Sequence, residues 1–549
     1  MKKILLLLVL TITSIFIQAQ PSKPIKTANS VAVAKPAGTT GTLQLGGIFY
    51  APAGIGVVLQ NNAKNDLTIT PKKETGKTFV INKFNFPAAV AEGAKFKITA
   101  KKIPAGQTIY MYPGADGEMS KNTKVEIALD YTYDLVTRSS NDATFSTFYD
   151  VNTPAVGGNP GEEGRYIAFV SSAAGFAGSN GKRRQIFWRD RNTGTTKLIS
   201  AASTGEEGNG DCYAPAISGD GKSVAFESHS TNLVADDKNG VKDIFIWNSV
   251  SNKIDKVSMG NNDKEANAES YEPSVSGDGN LIAFTSTAGN ISGTEKGTSN
   301  NNVFLRDMAS KTTIMISVDP SSKKGGGGSR ASISSDGKRI AFYSHTSTLV
   351  SDDKNNLWDI FLWEENNPKL KRVSLTADGK ERNQGEESSN RIVSPSISGN
   401  GRYIAFTTTA NNMVPGDDKY FQDVFIYDTQ TVITIVASTT ADGKFGNADS
   451  PIGQGEKIAI SYDGHYVAYS TKATNLGVPA SNIVLYDVAA KKNKAVSTVA
   501  GSGVGPAVMS YSGSYVVFGI GAKLDSRFAS SGIFANYTGV GPCRFCAEQ

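Results

Sequence analysis

Only three histidines and three cysteines occur in 549 residues. That scarcity weighs against a transition-metal centre, which draws several such ligands together. His229 and His345 hold equivalent places just past a strand, and His465 sits in the turn before one. The two places lie at opposite ends of a strand, so the three should not converge. Cys212 stands alone, and Cys543-x-x-Cys546 supplies two of the about four ligands that zinc takes. A local disulfide or loose tail thiols is the expectation for that pair. An excess of one charge is also missing. Lys plus Arg number 56 against 51 Asp plus Glu, a net +5, which makes no case for a nucleic-acid partner. No segment after the N-terminus is apolar enough to cross a membrane, for which about 20 residues are needed. There is no Gly-x-Ser-x-Gly elbow after the repeats, which excludes a prolyl-oligopeptidase-like hydrolase domain, and no P-loop or dinucleotide fingerprint.

What is present begins with a leader. Lys2 and Lys3 precede a mostly apolar run from Ile4 to Ile17, followed by Gln18-Ala19. This reads as a secretory signal peptide over residues 1–19, and its Gln-Ala-Gln ending resembles signal peptides of Bacteroidota. The chain is therefore expected to be exported, to the periplasm, cell surface or medium. Residues 20–40, rich in Pro, Ala, Thr and Lys, read as a linker. Residues 41–134 alternate with period two at Phe96-Lys97-Ile98-Thr99 and Val125-Glu126-Ile127-Ala128-Leu129, between turn signals at Pro104-Ala105-Gly106 and Pro113-Gly114. Together with Val57 to Asn62, Asp66-Leu67 and Gly106-Gln107-Thr108, they resemble a small β-sandwich module of bacterial surface proteins. That module usually carries two cysteines, where this chain has Ile109 and Tyr131. An apolar core must then hold it without a disulfide.

From residue 135 to 549 the chain repeats. Ile167-Ala168-Phe169 recurs as Val224-Ala225-Phe226, Ile282-Ala283-Phe284, Ile340-Ala341-Phe342, Ile404-Ala405-Phe406, Val467-Ala468-Tyr469 and Val516-Val517-Phe518. The spacings are 57, 58, 58, 64, 63 and 49 residues, and several short strands per unit at such a period indicate a propeller. Each copy offers four strands. In the third they begin with Pro273-Ser274-Val275-Ser276, turn at Gly277-Asp278-Gly279, and continue through Leu281 to Ser286, Asn302 to Leu305 and Thr313 to Ser317. The Asp-Gly turn supplies the positive φ of a tight hairpin.

These motifs, Pro-Ser-Ile-Ser-x-Asp-Gly, Ile-Ala-Phe-x-Ser and Asp-Ile-Phe, resemble the TolB-type WD40-like (PD40) repeat, clearest at 215–245, 273–305, 331–361 and 395–425. The resemblance implies an all-β chain, a β-propeller of about seven blades after a small β-sandwich domain. The last copy lacks a fourth strand, and Leu135-Val136-Thr137-Arg138-Ser139 reads as a fourth strand without a copy. Pairing the two would close the ring and remove two open sheet edges.

Three loops before the third strand carry acids: Asp237-x-Asn239-x-x-x-Asp243, Asp353-x-Asn355-x-x-x-Asp359, and Asp417 to Asp423. Oxygen donors at this spacing suit Ca²⁺, which takes about six to eight, while turn capping by Asp and Asn uses the same residues. Paired acids recur in several copies, whereas a catalytic pair is needed once, so no catalytic residue is assigned. Trp358, Tyr420 and Phe421 in these loops are candidate contact anchors. Gly325 to Gly328 reads as a flexible connection between blades. The expected function is non-enzymatic recognition of a protein or glycan in the cell envelope. A propeller lyase or glycosidase is the alternative, and it would need one non-repeated polar cluster, which spacing does not reveal.

Overall fold

The structure, a computed structural model, describes residues 42–540 apart from short stretches, chiefly 73–78, 120–124, 138–153, 293–300, 384–392, 452–456, 498–504 and 521–531. The expected signal peptide, the 20–40 linker, Cys543 and Cys546 lie outside the described residues. Among the described residues no helix is long and apolar enough to cross a membrane.

The chain is all-β, and its larger part is a β-propeller. Each repeat folds as one antiparallel sheet of four consecutive strands, as in Ser270–Val275, Leu281–Ser286, Asn302–Asp307 and Thr312–Met315. Six such sheets occur among the described residues, and a seventh joins the last three strands to one from the start of the repeat region. The innermost strand of each touches those beside it, and the circuit closes between Ala155–Gly157 and Val508–Met509. The Ile-Ala-Phe strands are buried on both faces because each sheet is sandwiched between two others. That explains why they read as continuous apolar runs rather than alternating ones. The Phe of the second strand stacks on a Phe of the third in five successive sheets, at 5.7–6.0 Å between centroids.

The Ser-x-Asp-Gly motif is structural. Ser218 Oγ donates to Asp220 (2.6 Å) and accepts the Ser223 N–H, while Asp220 accepts the Lys222 N–H. Gly221 has φ +73°, and a Cβ there would lie 2.1 Å from the Tyr166 ring of the preceding sheet. The turns also bond to one another, Gly158 N–H to Gly219, Asp220 to Gly277, Gly277 to Ser335, Ser335 to Gly399, Asn400 to Tyr462 and Tyr462 to Tyr511. The buried Glu163 carboxylate completes this circuit by accepting the Ser512 N–H at 2.9 Å.

Ring closure follows the expected route. Tyr133–Leu135 pairs antiparallel with Gly532–Tyr537, beside Tyr515–Ile520. The strand begins two residues earlier than Leu135. Arg138 and Ser139 lie outside the described residues.

Before it, Gly46–Pro52, Phe79–Asn85, Gln107–Met111 and Val125–Tyr131 form one four-stranded sheet, and Val57–Asn61, Lys64–Ile69, Lys95–Lys102 and Asp116–Glu118 another. Phe49, Leu59, Phe96, Ile98 and Ile127 share one core cluster drawn from both sheets, with Ile109 packed against it. Tyr50 packs instead with propeller residues Val136, Tyr515 and Tyr537.

Candidate functional site

The first strand of each propeller sheet lines a central channel. Four residues before each turn serine, the copies carry Ala214, Glu272, Arg330, Ser394 and Lys457. All five line one cavity of about 480 Å³, otherwise walled largely by small or apolar side chains such as Ala216, Ser274, Ser332 and Val508. In three sheets a β-bulge falls here, and Ala214, Glu272 and Arg330 take φ of 46°, 58° and 56°. Left-handed backbone at residues with a Cβ costs energy, and bulges re-aim side chains. Here they turn the position toward the channel.

The charges there form a chain across three sheets. Lys242 Nζ lies 2.9 Å from Glu227, and Glu227 accepts the Glu272 N–H at 2.7 Å. Glu272 in turn accepts the Arg330 N–H at 3.0 Å and Thr285 Oγ at 3.2 Å. Burial pushes the Glu272 carboxyl above its ordinary range. Lys457, beside the sixth sheet, lines the same cavity, and its ammonium has no ion pair or hydrogen bond among the described residues. Burial holds its ammonium below the usual lysine range, outweighing the attraction of Glu272 and Glu227. This is the non-repeated polar cluster that spacing did not reveal. The signal was present in the sequence, as a position of the first strand where the copies disagree in charge.

The rim residues fall differently. Trp358 is half-buried, 5.2 Å from the His345 ring, and with Asn301 and Gly326 to Gly328 it lines a second cavity of about 410 Å³. Tyr420 is 55% exposed and Phe421 half-buried in the next sheet's equivalent loop. The four-glycine run is not a flexible connection. Gly326 and Gly328 N–H bond to Ser317 and Asn301, and a Cβ on Gly325, Gly326 or Gly328 would meet Asn302, Leu349 or Phe342 within 3 Å.

The acidic loops hold a cation of the chain's own. Lys256 Nζ lies 3.1 Å from Asp237, 2.8 Å from Asp243 and 2.6 Å from Glu265. Arg372 lies 2.9 Å from Asp353, 3.6 Å from Asp359 and 2.9 Å from Glu381. Asn239 and Asn355 cap turns, accepting the Val241 and Leu357 N–H groups. Calcium at either loop would have to displace an ammonium or a guanidinium. Among the described residues no three His, Cys, Asp or Glu side chains are grouped to hold a metal.

The fifth sheet has the acids and not the cation. Burial pushes Asp417 up to about 6 and Asp423 up to about 7, the latter helped by the charges of Asp417 and Asp449. Folded values above the unfolded one, near 3.9, mean that the stability these groups contribute is complete in acid and lost as pH rises through 6–7. Asp423→Asn is therefore expected to raise the melting midpoint by a few degrees at about pH 8 and leave it unchanged at about pH 4. Parallel pH profiles for wild type and variant would refute this.

No family model matches the chain, and no curated protein matches it in sequence. Solved structures similar to it include TolB from Acinetobacter baumannii, at 16% identity over 63% of each chain with a TM-score of 0.34. The β-propeller domain of the Trilobed protease from Pyrococcus furiosus, described as having an open velcro topology, matches at 16% identity over 71% of this chain and 96% of its own, with a TM-score of 0.41. A putative TolB from Agrobacterium tumefaciens matches at 13% identity over 55% of this chain and 84% of its own, with a TM-score of 0.32. The chain thus spans under two thirds of the Acinetobacter structure it matches. Identities this low concern fold alone, and the propeller is read from this chain's own sheet order.

Proposed function

We propose that this chain is an exported, non-enzymatic binding module that recognises an anionic protein segment or glycan of the cell envelope at the mouth of its propeller channel. Its units are a leader over 1–19, a linker over 20–40, a sandwich-like module over 41–134 and the propeller from 135 to 549. The observation that carries the reading is Lys457, a cation without an ion-pair partner among the described residues, in a cavity otherwise balanced by paired charges. A ligand carboxylate or sulfate there would gain a charge-assisted hydrogen bond, worth about 1.5–3 kcal/mol. Rim loops on the rigid scaffold, with Tyr420 exposed and Trp358 lining a cavity, add contact surface.

The test is equilibrium binding to a panel of acidic oligosaccharides and acidic peptides. Lys457→Ala is expected to weaken the ligand found by at least about tenfold, and Trp358→Ala with Tyr420→Ala to weaken it less. Equal affinity of Lys457→Ala and wild type would reject the channel site. One observation favours the lyase or glycosidase alternative: Glu227, Glu272 and Lys457 come together once, without repetition from sheet to sheet. Turnover of any glycan by wild type, abolished in Glu272→Gln, would establish it in place of recognition.

A further inference from the structure

The first residue of the third strand and the residue opposite its third position vary together around the ring. Lys256 faces Phe245 across the ladder, and Leu198, Met315, Arg372, Val436 and Ala495 hold the same register in their sheets. Where that residue is Leu198, Met315 or Ala495, the third strand begins with a neutral amide, Gln185, Asn302 or Asn482. Where it is Lys256 or Arg372, the strand begins with Asp243 or Asp359. In all five a serine two residues on donates to this side chain, Ser200, Ser258, Ser317, Ser374 or Ser497.

The fifth sheet alone breaks the match. It pairs an acid, Asp423, with an apolar residue, Val436, and it keeps the second acid, Asp417, at the place of Asp237 and Asp353. Ser438 donates to Asp423 at 2.5 Å. Asp417 is over nine-tenths buried, and its Oδ1 has no hydrogen-bond partner. The corresponding carboxylates in the second and fourth sheets point at Lys256 and Arg372. Among the described residues no Lys, Arg or His reaches Asp417 or Asp423 within ion-pair distance. A buried carboxylate pair without a cation is costly. Val436 ends at its γ carbons, so the space that a lysine's δ and ε carbons and ammonium take in the second sheet has no counterpart from this strand. Phe445 stands where Glu265 and Glu381 stand in those sheets.

We infer that the Asp417–Asp423 acid pair is a receptor for a cationic side chain of a partner, a lysine ammonium or an arginine guanidinium, which takes the place that Lys256 and Arg372 fill from within. The exposed Tyr420 and half-buried Phe421 lie in the same loop. An organic cation is favoured over a metal because two sister sheets bind one with the same pair of acids. The channel site is separate, and neither depends on the other.

The experiment is thermal melting of the full chain with n-butylammonium chloride, methylguanidinium chloride, CaCl₂ and NaCl at matched ionic strength. The two organic cations are expected to raise the wild-type midpoint by roughly 2 °C at tenfold saturation, with no rise from NaCl or CaCl₂. Val436→Lys, which supplies the cation in cis, is expected to melt higher than wild type and to lose the response. Asp423→Asn, which copies the third and sixth sheets, also loses the response, and it decides the matter if Val436→Lys does not fold. No organic-cation shift in wild type, an equal shift in the variants, or a larger shift with CaCl₂ would each overturn the inference.

Discussion

A chain starting at residue 132 is expected to keep a cooperatively melting propeller, and one starting at residue 141 to melt at least about 10 °C lower or to aggregate. The two differ by the strand Tyr133–Leu135 and the residues just after it. Leu135 and Val136 are fully buried against the seventh and neighbouring sheets. Each contributes about 1.5–3 kcal/mol of burial. Asp134 lies 2.8 Å from Arg191 Nε, a guanidinium buried in the first sheet that also donates to the Gly164 carbonyl. Removing Asp134 leaves that charge without its carboxylate, a further cost of several kcal/mol. The N–H and C=O groups of Gly532–Tyr537 then become an open edge. The check is differential scanning calorimetry of both truncations beside the full chain. Coincident midpoints for the starts at 132 and 141 would show that the ring does not depend on this closure.

The second large effect concerns Arg372. Arg372→Met is expected to destabilise the chain by about 3–5 kcal/mol, because it strands Asp353, Asp359 and Glu381 around a missing cation. Spread over a propeller of roughly 400 residues, that is a fall of about 5 °C in the melting midpoint. Arg382, 3.1 Å from Asp359, limits the loss. The compensating change is already used elsewhere in the chain. Asp359→Asn with Arg372→Met reproduces the amide-and-methionine arrangement of Asn302 and Met315, Asp353→Asn removes the second buried charge, and Glu381 is left partly exposed. The triple variant is expected to recover most of the loss, since replacing a buried ion pair as a whole is often near neutral. A triple variant as unstable as the single one would mean that the guanidinium acts through packing rather than through charge.

These two experiments separate what is written in the sequence from what folding adds. The repeat was legible because each copy needs the same local parts. These are an Asp-Gly turn with positive φ, an Ile-Ala-Phe strand covered on both faces, and a serine that bonds the start of the third strand. Even the closing strand was legible, because Leu135-Val136-Thr137 carries the fourth-strand pattern of a copy that has none of its own. The acidic loops were half legible. Their spacing showed that oxygens gather, and it did not show that Lys256 and Arg372, 13 residues beyond Asp243 and Asp359, reach back across the ladder into their centre. That contact depends on strand register, which local sequence spacing does not encode.

The channel was the least legible part. Ala214, Glu272, Arg330, Ser394 and Lys457 are about 60 residues apart in sequence, like the other repeat positions, and each is ordinary within its own copy. Only the closed ring turns five equivalent positions toward one cavity, so that their differences become a site. The sequence by itself determined the strands, their order within each sheet and the apolar faces between sheets, because those follow from turns and periodicity within one copy. The tertiary structure alone decided which charges meet, because a propeller brings corresponding residues of different copies together by rotation about an axis that no single copy contains.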